Sequence, residues 1–147
     1  MFNPTAEAMP VNELRKLQGQ RLRDLVKRAH DHVPFYRARM QENGVKLADI
    51  RGIEDIAKLP FITKTDFRDK YPFGMFAVPH QEIIRIHASS GTTGKPTVVG
   101  YTRNDIDNWA ECAARSLACG GATADDTVQI AYGYGLFTGG LGMHYGA

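Results

Sequence analysis

Hydrophobic positions early in the chain recur at helical spacing. Between residues 12 and 33, apolar side chains are separated mostly by three or four positions, which predicts an amphipathic helix. Asn12 is a candidate N-cap, and Pro34 disfavours helical backbone at Val33, so we expect the helix to end there. The apolar stripe consists of Leu14, Leu17, Leu22, Leu25, Val26 and Ala29.

Shorter helical segments follow the long one. Residues 34–42 predict a second helix, which Asn-Gly ends. Residues 53–58 predict a helical turn before a Leu-Pro pair. A further short helix is expected to be capped by Thr63 or Thr65 and to reach Tyr71, where a proline breaks it. The first half of the chain is therefore mostly helix and loop.

The pattern then changes to strands. Residues 82–88 are β-branched and partly alternating, and residues 97–101 predict a second strand. A third strand is expected at residues 127–131. Between the second and third strands, the chain returns to helical spacing.

Residues 102–119 predict that intervening helix. Thr102 and Asp105 have the spacing of a capping box, with Asp where Glu or Gln is usual. This order of strands and helix indicates an α/β fold, with a mostly helical region over 1–80 and the α/β region over 81–147. The buried stripe is expected to contain Ile106, Trp109, Ala110, Ala113 and Leu117.

Composition excludes some classes of partner. Eighteen basic and sixteen acidic residues leave a net charge of +2, too near neutral to favour nucleic acid. There is no signal-peptide pattern, and no apolar run is long enough to span a bilayer. Cys112 and Cys119 lie about two helical turns apart, which predicts buried free thiols rather than a disulfide. We therefore expect a cytoplasmic protein that binds neither nucleic acid nor membrane.

The loop between the first two strands, residues 89–97, carries the candidate chemistry. Gly91 and Gly94 let the backbone turn and approach a ligand closely, and Lys95 adds a positive charge. Backbone N–H and hydroxyl donors at this density suit phosphate oxygens. The hydroxyls belong to Ser89, Ser90, Thr92 and Thr93.

Two known loop motifs do not match. A Walker A loop requires glycine where Ser89 stands, and here Pro96 follows the lysine. A nucleophile elbow fails because Ala88 occupies its first glycine position. A polar hairpin loop that binds nothing remains open, although hairpin loops are usually shorter.

Residues 89–98 read S-S-G-T-T-G-K-P-T-V, which resembles the phosphate loop of adenylate-forming enzymes. In that superfamily the loop typically runs S-[GST]-G-T-T-G-x-P-K-G. Here the lysine stands two positions early, and Thr-Val replaces Lys-Gly, as in the phenylacetate–CoA ligase branch. Residues 59–68, 71–79 and 131–140 also resemble that branch, so the resemblance extends from about residue 36 to the last residue.

The resemblance implies a fold and a reaction. The implied fold is a helical N-terminal segment, followed by part of the mixed sheet-and-helix N-terminal domain that adenylate-forming enzymes have. Such enzymes use ATP, with Mg²⁺ expected, to convert a carboxylate to an acyl-adenylate, and then transfer the acyl group to coenzyme A. No catalytic residue is assigned within this chain. The resemblance assigns phosphate binding to Ser89, Ser90, Gly91, Thr92, Thr93, Gly94 and Lys95.

The resemblance gives residues 131–140, here called the Tyr/Gly segment, a role in acid binding. Tyr132 and Phe137 are expected to wall a slot for an aryl ring, with Gly139 leaving room for it. Packing of these aromatic rings in the core is an open alternative. A dinucleotide fingerprint begins at Gly133 but has Thr138 at its third glycine position.

The histidines give little further indication of function. His80 and His144 have no cysteine or carboxylate at ligand spacing, so no structural metal is expected. His87 precedes the phosphate loop on a predicted strand, where packing alone would explain it.

Glycines crowd the final part of the chain, as if the polypeptide continues past Ala147. The resembling enzymes are longer and carry later elements for adenine, magnesium and a lysine that assists adenylation. We therefore expect residues 1–147 alone to be inactive. A non-catalytic nucleotide-binding or dimerisation module, with a homodimer as one form, is the alternative.

Overall fold

Two compact units make up the chain in this computed structural model. The helical unit is Met9–Val78, and the sheet unit combines Met1–Ala8 with Pro79–Ala147. The predicted domains, 1–80 and 81–147, stay a prediction. The structure describes residues 1–89, 94–136 and 139–147.

Six α-helices and two strands are assigned within the described ranges. The helices are α1 (Pro4–Glu7), α2 (Val11–His32), α3 (Pro34–Glu42), α4 (Lys64–Asp69), α5 (Arg103–Cys119) and α6 (Gly139–Gly146). The strands are β1 (Arg85–Ala88) and β2 (Val98–Tyr101). Short 3₁₀ segments lie at Leu47–Asp49, Ile53–Lys58 and His80–Glu82.

The predicted helices of the helical unit are confirmed with small shifts. α2 ends one residue before Val33, whose extended backbone (φ −118°, ψ 104°) is the conformation that a following proline favours. The predicted N-cap at Asn12 is wrong, because Pro10 occupies that position and Asn12 is already helical. Thr63, one of two candidates, is the N-cap of α4.

The core of the helical unit lies between α2 and α3. Leu22 and Val26 of α2 pack with Met40 of α3 and with Ile50. Leu25 stays 62% exposed, so the buried stripe of α2 is narrower than its apolar pattern predicts.

Asp55 stabilises the 3₁₀ segment in which it lies, Ile53–Lys58. Its carboxylate accepts hydrogen bonds from the backbone N–H groups of Arg51 (2.8 Å) and Gly52 (3.0 Å), and it pairs with Lys58 Nζ at 2.6 Å. The hydrogen bond from Lys58, followed by those from the two backbone groups, lowers the pKa of Asp55 from 3.8 to about 2. The ionised carboxylate is therefore the form that holds the turn.

The sheet unit contains an antiparallel pair of strands. Arg85 lies opposite Tyr101, and His87 lies opposite Val99, so these four residues share one face of the sheet. The predicted third strand at 127–131 is wrong, because no strand is assigned there. That segment has no ladder partner within the described ranges, and extended backbone becomes a strand only when a neighbour pairs with it.

The capping box that begins α5 is confirmed. Thr102 N–H donates to Asp105 Oδ2 (2.8 Å), and Asp105 N–H donates to Thr102 Oγ1 (3.3 Å). Ile106 and Ala113 are buried as expected. The cysteines of α5 are free but exposed, so their predicted burial is wrong. No helix in the described part of the chain is long and apolar enough to cross a bilayer.

The glycine-rich helix α6 was not predicted, and it packs closely against α5. A Cβ added at Gly142 would lie 2.1 Å from the ring of Trp109, and one at Gly146 would lie 2.4 Å from Ala113 Cβ. Because glycine has no side chain, the two helices can approach each other closely at these positions. Glycine has poor helix propensity, so this packing outweighs the local preference.

Replacing Asp55 by Asn should destabilise the helical unit at pH 7. The folded-state pKa lies below the ordinary value, so the carboxylate's contribution is present above pH 3.8 and is lost as the pH falls towards about 2. The difference in urea midpoint between wild type and Asp55→Asn should therefore shrink over that window. Asp69→Asn, at an exposed residue of α4, is the control. A pH-independent difference would contradict the assignment.

Replacing Gly142 by Ala should loosen α6. The new methyl group would overlap Trp109, and overpacking outweighs the gain in helix propensity, for a net loss of about 1–2 kcal/mol. Hydrogen exchange of the α6 amides should accelerate accordingly. Gly135→Ala is the matched control, because a Cβ there meets nothing within 4 Å. Equal exchange in both variants would show that α5 and α6 are not closely packed.

Candidate functional site

The ends of the predicted phosphate loop are joined by two hydrogen bonds. Ser89 N–H donates to the Thr97 carbonyl at 3.0 Å, and Thr97 N–H donates to Ser89 Oγ at 3.1 Å. The first of these, which joins two backbone groups, continues the pairing of β1 with β2 beyond Ala88 and Val98. The strands thus hold both ends of the loop at a common base.

Two further loop residues are described. Gly94 has φ +123°, a backbone conformation that side chains disfavour, so glycine is required there for the turn. The side chain of Lys95 lies at the protein surface. The other predicted phosphate ligands lie outside the described residues, and their role stays a prediction: Ser90, Gly91, Thr92 and Thr93.

Leu136, in the described part of the Tyr/Gly segment, lies beside β1. The carbonyl oxygen of Leu136 is 2.9 Å from the backbone N of Ala88 and 2.9 Å from Nδ1 of His87. Ser89, the first residue of the phosphate loop, immediately follows Ala88. The structure therefore places Leu136, in the segment predicted to bind the acid, beside the residue that precedes the predicted phosphate loop.

His87 is the residue whose place in this site the sequence did not reveal. Its side chain is 1% exposed, and its ring meets those of Tyr101 and Trp109 edge to face, at centroid distances of 5.4 Å and 5.7 Å. Its Nε2 is buried without a hydrogen-bond partner in the described structure. Alternation along the strand could have predicted the burial, but not the contact with Leu136, which is distant in sequence.

An aromatic stack supports this face of the sheet. Tyr101 and Trp109 are stacked with ring centroids 5.2 Å apart, and the α6 backbone at Gly142 lies against Trp109. Burial, with a smaller effect from Asp105, raises the pKa of the Tyr101 hydroxyl. The phenol therefore stays neutral at physiological pH.

The predicted aryl-binding residues are described in part. Tyr132 is 57% exposed, which does not fit the alternative that it packs in the core. Gly139 is the first residue of α6, and Phe137 lies outside the described residues. Nearby, the Tyr134 hydroxyl lies 3.3 Å from His144 Nδ1. The walls of an acid pocket at this position stay a prediction.

An apolar hollow of about 380 Å³ lies in the helical unit, between α2, α3 and the chain after Leu59. Tyr36 and Met40 contribute to its lining. It belongs to a different unit from the phosphate loop, and it has no cluster of polar groups that would orient a substrate. We therefore assign the site to the loop and the Tyr/Gly segment.

The described residues offer no metal centre. Within the described ranges, no group of three or more His, Cys, Asp or Glu side chains is placed to hold a metal ion. The expectation of Mg²⁺ with ATP stays a prediction, because Mg²⁺ at such sites is held largely by substrate phosphates and water.

The chain is similar in sequence to proteins of known name. No family model matches the chain. A phenylacetate–coenzyme A ligase of Thermus thermophilus is 56% identical over 147 residues, all of this chain and 33% of the relative. Ligases of the same name from Escherichia coli (57% over 141 residues) and Aromatoleum evansii (59% over 136 residues) match 96% and 92% of the chain. The chain thus spans about a third of the length of these relatives.

Solved structures agree with the sequence matches. A 2-hydroxyisobutyryl-CoA ligase in complex with 2-HIB-AMP and CoA superposes with a TM-score of 0.88 at 35% identity, over 97% of this chain and 31% of that one. The same enzyme with 2-HIB-AMP in its postadenylation state gives 0.83 at 33% identity, over 94% and 30%. By sequence along its whole length, the chain is similar to about a third of the length of the phenylacetate–coenzyme A ligases, and its fold is similar to the corresponding part of an adenylate-forming CoA ligase.

Proposed function

We propose that the complete protein joins phenylacetate, or a closely related aryl acid, to coenzyme A at the expense of ATP. The observation that carries this proposal is the contact at Leu136, whose carbonyl oxygen accepts hydrogen bonds from Ala88 and His87, just before the loop begins. The relatives named phenylacetate–coenzyme A ligase support the choice of acid.

The reaction has two steps. First, a carboxylate oxygen attacks the α-phosphorus of ATP, and pyrophosphate leaves, so that the acid becomes an acyl-adenylate. Second, the sulfur of coenzyme A attacks the acyl carbon, the thiol proton is lost, and AMP leaves with the bridging oxygen. A carboxylate would have to lose oxide, a poor leaving group, whereas the acyl-adenylate formed in the first step loses AMP, a good one. Catalysis then depends mainly on positioning and charge neutralisation.

In this proposal the loop holds the β- and γ-phosphates. Backbone N–H and hydroxyl groups between Ser89 and Gly94 would donate to the phosphate oxygens, and Lys95 would neutralise part of their charge. The positive φ of Gly94 and the hydrogen bond between Thr97 and Ser89 support this role, because they fix the described ends of the loop.

The acid would bind along the Tyr/Gly segment. In this proposal the ring of Tyr132, which is 57% exposed, would contact the aryl group, with Phe137 and Gly139 completing the predicted slot. A mostly hydrophobic slot discriminates weakly among aryl acids that differ by one group. The proposal therefore names a class of acids, with phenylacetate as its first member.

We further propose that residues 1–147 do not catalyse alone, because the chain spans about a third of its relatives. The cytoplasmic location and the homodimer stay predictions.

The complete protein should release AMP from ATP and coenzyme A only when a suitable acid is present. Phenylacetate should be a far better substrate than 2-hydroxyisobutyrate, the acid implied by the names of the structural neighbours. The measurement is a coupled AMP assay with each acid at equal concentration. If neither these nor fatty acids stimulate AMP release, the ligase proposal fails, and a nucleotide-binding module becomes the better account.

Replacing Lys95 by Ala should lower kcat/KM for ATP by about 100-fold, because one charge that stabilises the phosphates is removed. The KM for phenylacetate should change little. Arg103→Ala removes a positive charge from an exposed residue of the same unit and is the matched control. Equal effects of the two substitutions would point to general electrostatics and would contradict a specific role for Lys95.

A further inference from the structure

We propose that His87 is a positioning residue: its Nδ1–H holds the Tyr/Gly segment against the end of β1, from which the phosphate loop begins. This inference rests on the proposed function for its catalytic consequence. The structural link itself is independent of that function.

The position of the imidazole proton follows from its neighbour. A carbonyl oxygen only accepts hydrogen bonds, so the 2.9 Å contact requires that Nδ1 of His87 carry the hydrogen. The N–H of Ala88 donates to the same oxygen at 2.9 Å. The carbonyl of Leu136 thus has a partner for each of its two lone pairs, both from adjacent residues of β1.

The ring has little freedom to turn away from Leu136. Tyr101 meets it edge to face, and so does Trp109, which is itself stacked on Tyr101. With the side chain 1% exposed, the direction of Nδ1 is set by this packing. The aromatic stack therefore aims one donor at one carbonyl.

Packing alone does not account for a histidine at this position. A phenylalanine could fill a similar space and meet the same rings. Histidine leaves Nε2 of the ring buried without a partner in the described structure, which is unfavourable. The bond from Nδ1 to Leu136 is the gain that offsets this loss.

The position along the chain suggests what the link does. Ser89, two residues after His87, begins the phosphate loop, and Tyr132 lies four residues before Leu136. The α-phosphate and the carboxylate must meet in line for adenylation, so the two segments must keep a constant relative position. The side chain of His87, two residues before the phosphate loop begins, bonds the backbone of the Tyr/Gly segment at Leu136.

Three substitutions separate the possible roles. The side-chain nitrogen of Asn is reached from Cβ through as many bonds as Nδ1 of His87, so His87→Asn can keep the donor to Leu136. The nitrogen of Gln corresponds in the same way to Nε2, so His87→Gln tests a contact there. His87→Phe keeps the ring contacts with Tyr101 and Trp109 but removes both nitrogens.

The first arm measures the link directly, by hydrogen exchange in the complete protein. In His87→Phe, the amides of residues 131–136 should exchange faster, while the amides of α5 keep their wild-type rates. In His87→Asn, residues 131–136 should stay closer to wild type than in His87→Phe. Unchanged exchange of this segment in His87→Phe would overturn the proposal.

The second arm measures acid-dependent AMP formation with phenylacetate, ATP and coenzyme A. His87→Phe should lower kcat by about 100-fold with little change in either substrate's KM, as expected when positioning is lost but binding is kept. His87→Asn should retain more activity than His87→Phe while having the lower melting temperature, because it lacks the ring. Full activity in His87→Phe, or better retention in His87→Gln than in His87→Asn, would overturn the proposal.

The two arms also separate this inference from the proposed function. If the wild-type protein makes no AMP with any acid, the ligase proposal fails, and the exchange arm still decides whether His87 holds the segment. If the wild-type protein is active and exchange in His87→Phe is normal, the ligase proposal stands and the role of His87 is wrong.

Discussion

One carbonyl oxygen, that of Leu136, joins the two segments on which the proposed chemistry depends. It accepts from the backbone of Ala88 and from the ring of His87. A typical hydrogen bond contributes only about 0.5–1.5 kcal/mol net, but a buried donor left without an acceptor costs about 1–3 kcal/mol. Since His87 is almost fully buried, the alternative to this bond is an unpaired donor, and that penalty keeps the segment beside β1.

The same arrangement relies on glycines of α6, which have no side chain where this helix meets α5. Trp109 can support His87 because α6 approaches it through Gly142, and a methyl group there would occupy the place of the indole. Helix propensity alone does not predict α6, since glycine is among the poorest helix formers. Among the glycines of α6, Gly139 was instead predicted to leave room for a substrate. Close packing between helices is a tertiary property, and it was not visible in the local pattern.

Periodicity predicted elements well where burial is one-sided. α2 and α5 were predicted to within one residue at each end, because each buries an apolar stripe on one face. The loop at residues 89–97 was recognised from its residues, and its closed base agrees with them. The candidate site was only half predictable. The proposed phosphate ligands were predicted from a local motif, whereas His87 and Leu136 meet through the fold, 49 positions apart.

A single motif shows where local prediction ends. Thr63 and Asp66 are hydrogen-bonded at the start of α4, and Thr102 pairs with Asp105 in the same way at the start of α5. Thr123 donates its N–H to Asp126 at 2.7 Å, yet only a turn follows. The residues after this third pair are rich in β-branched side chains and lack an apolar stripe at helical spacing, so no buried face rewards a helix. Capping determines where a helix can begin, and packing determines whether it continues.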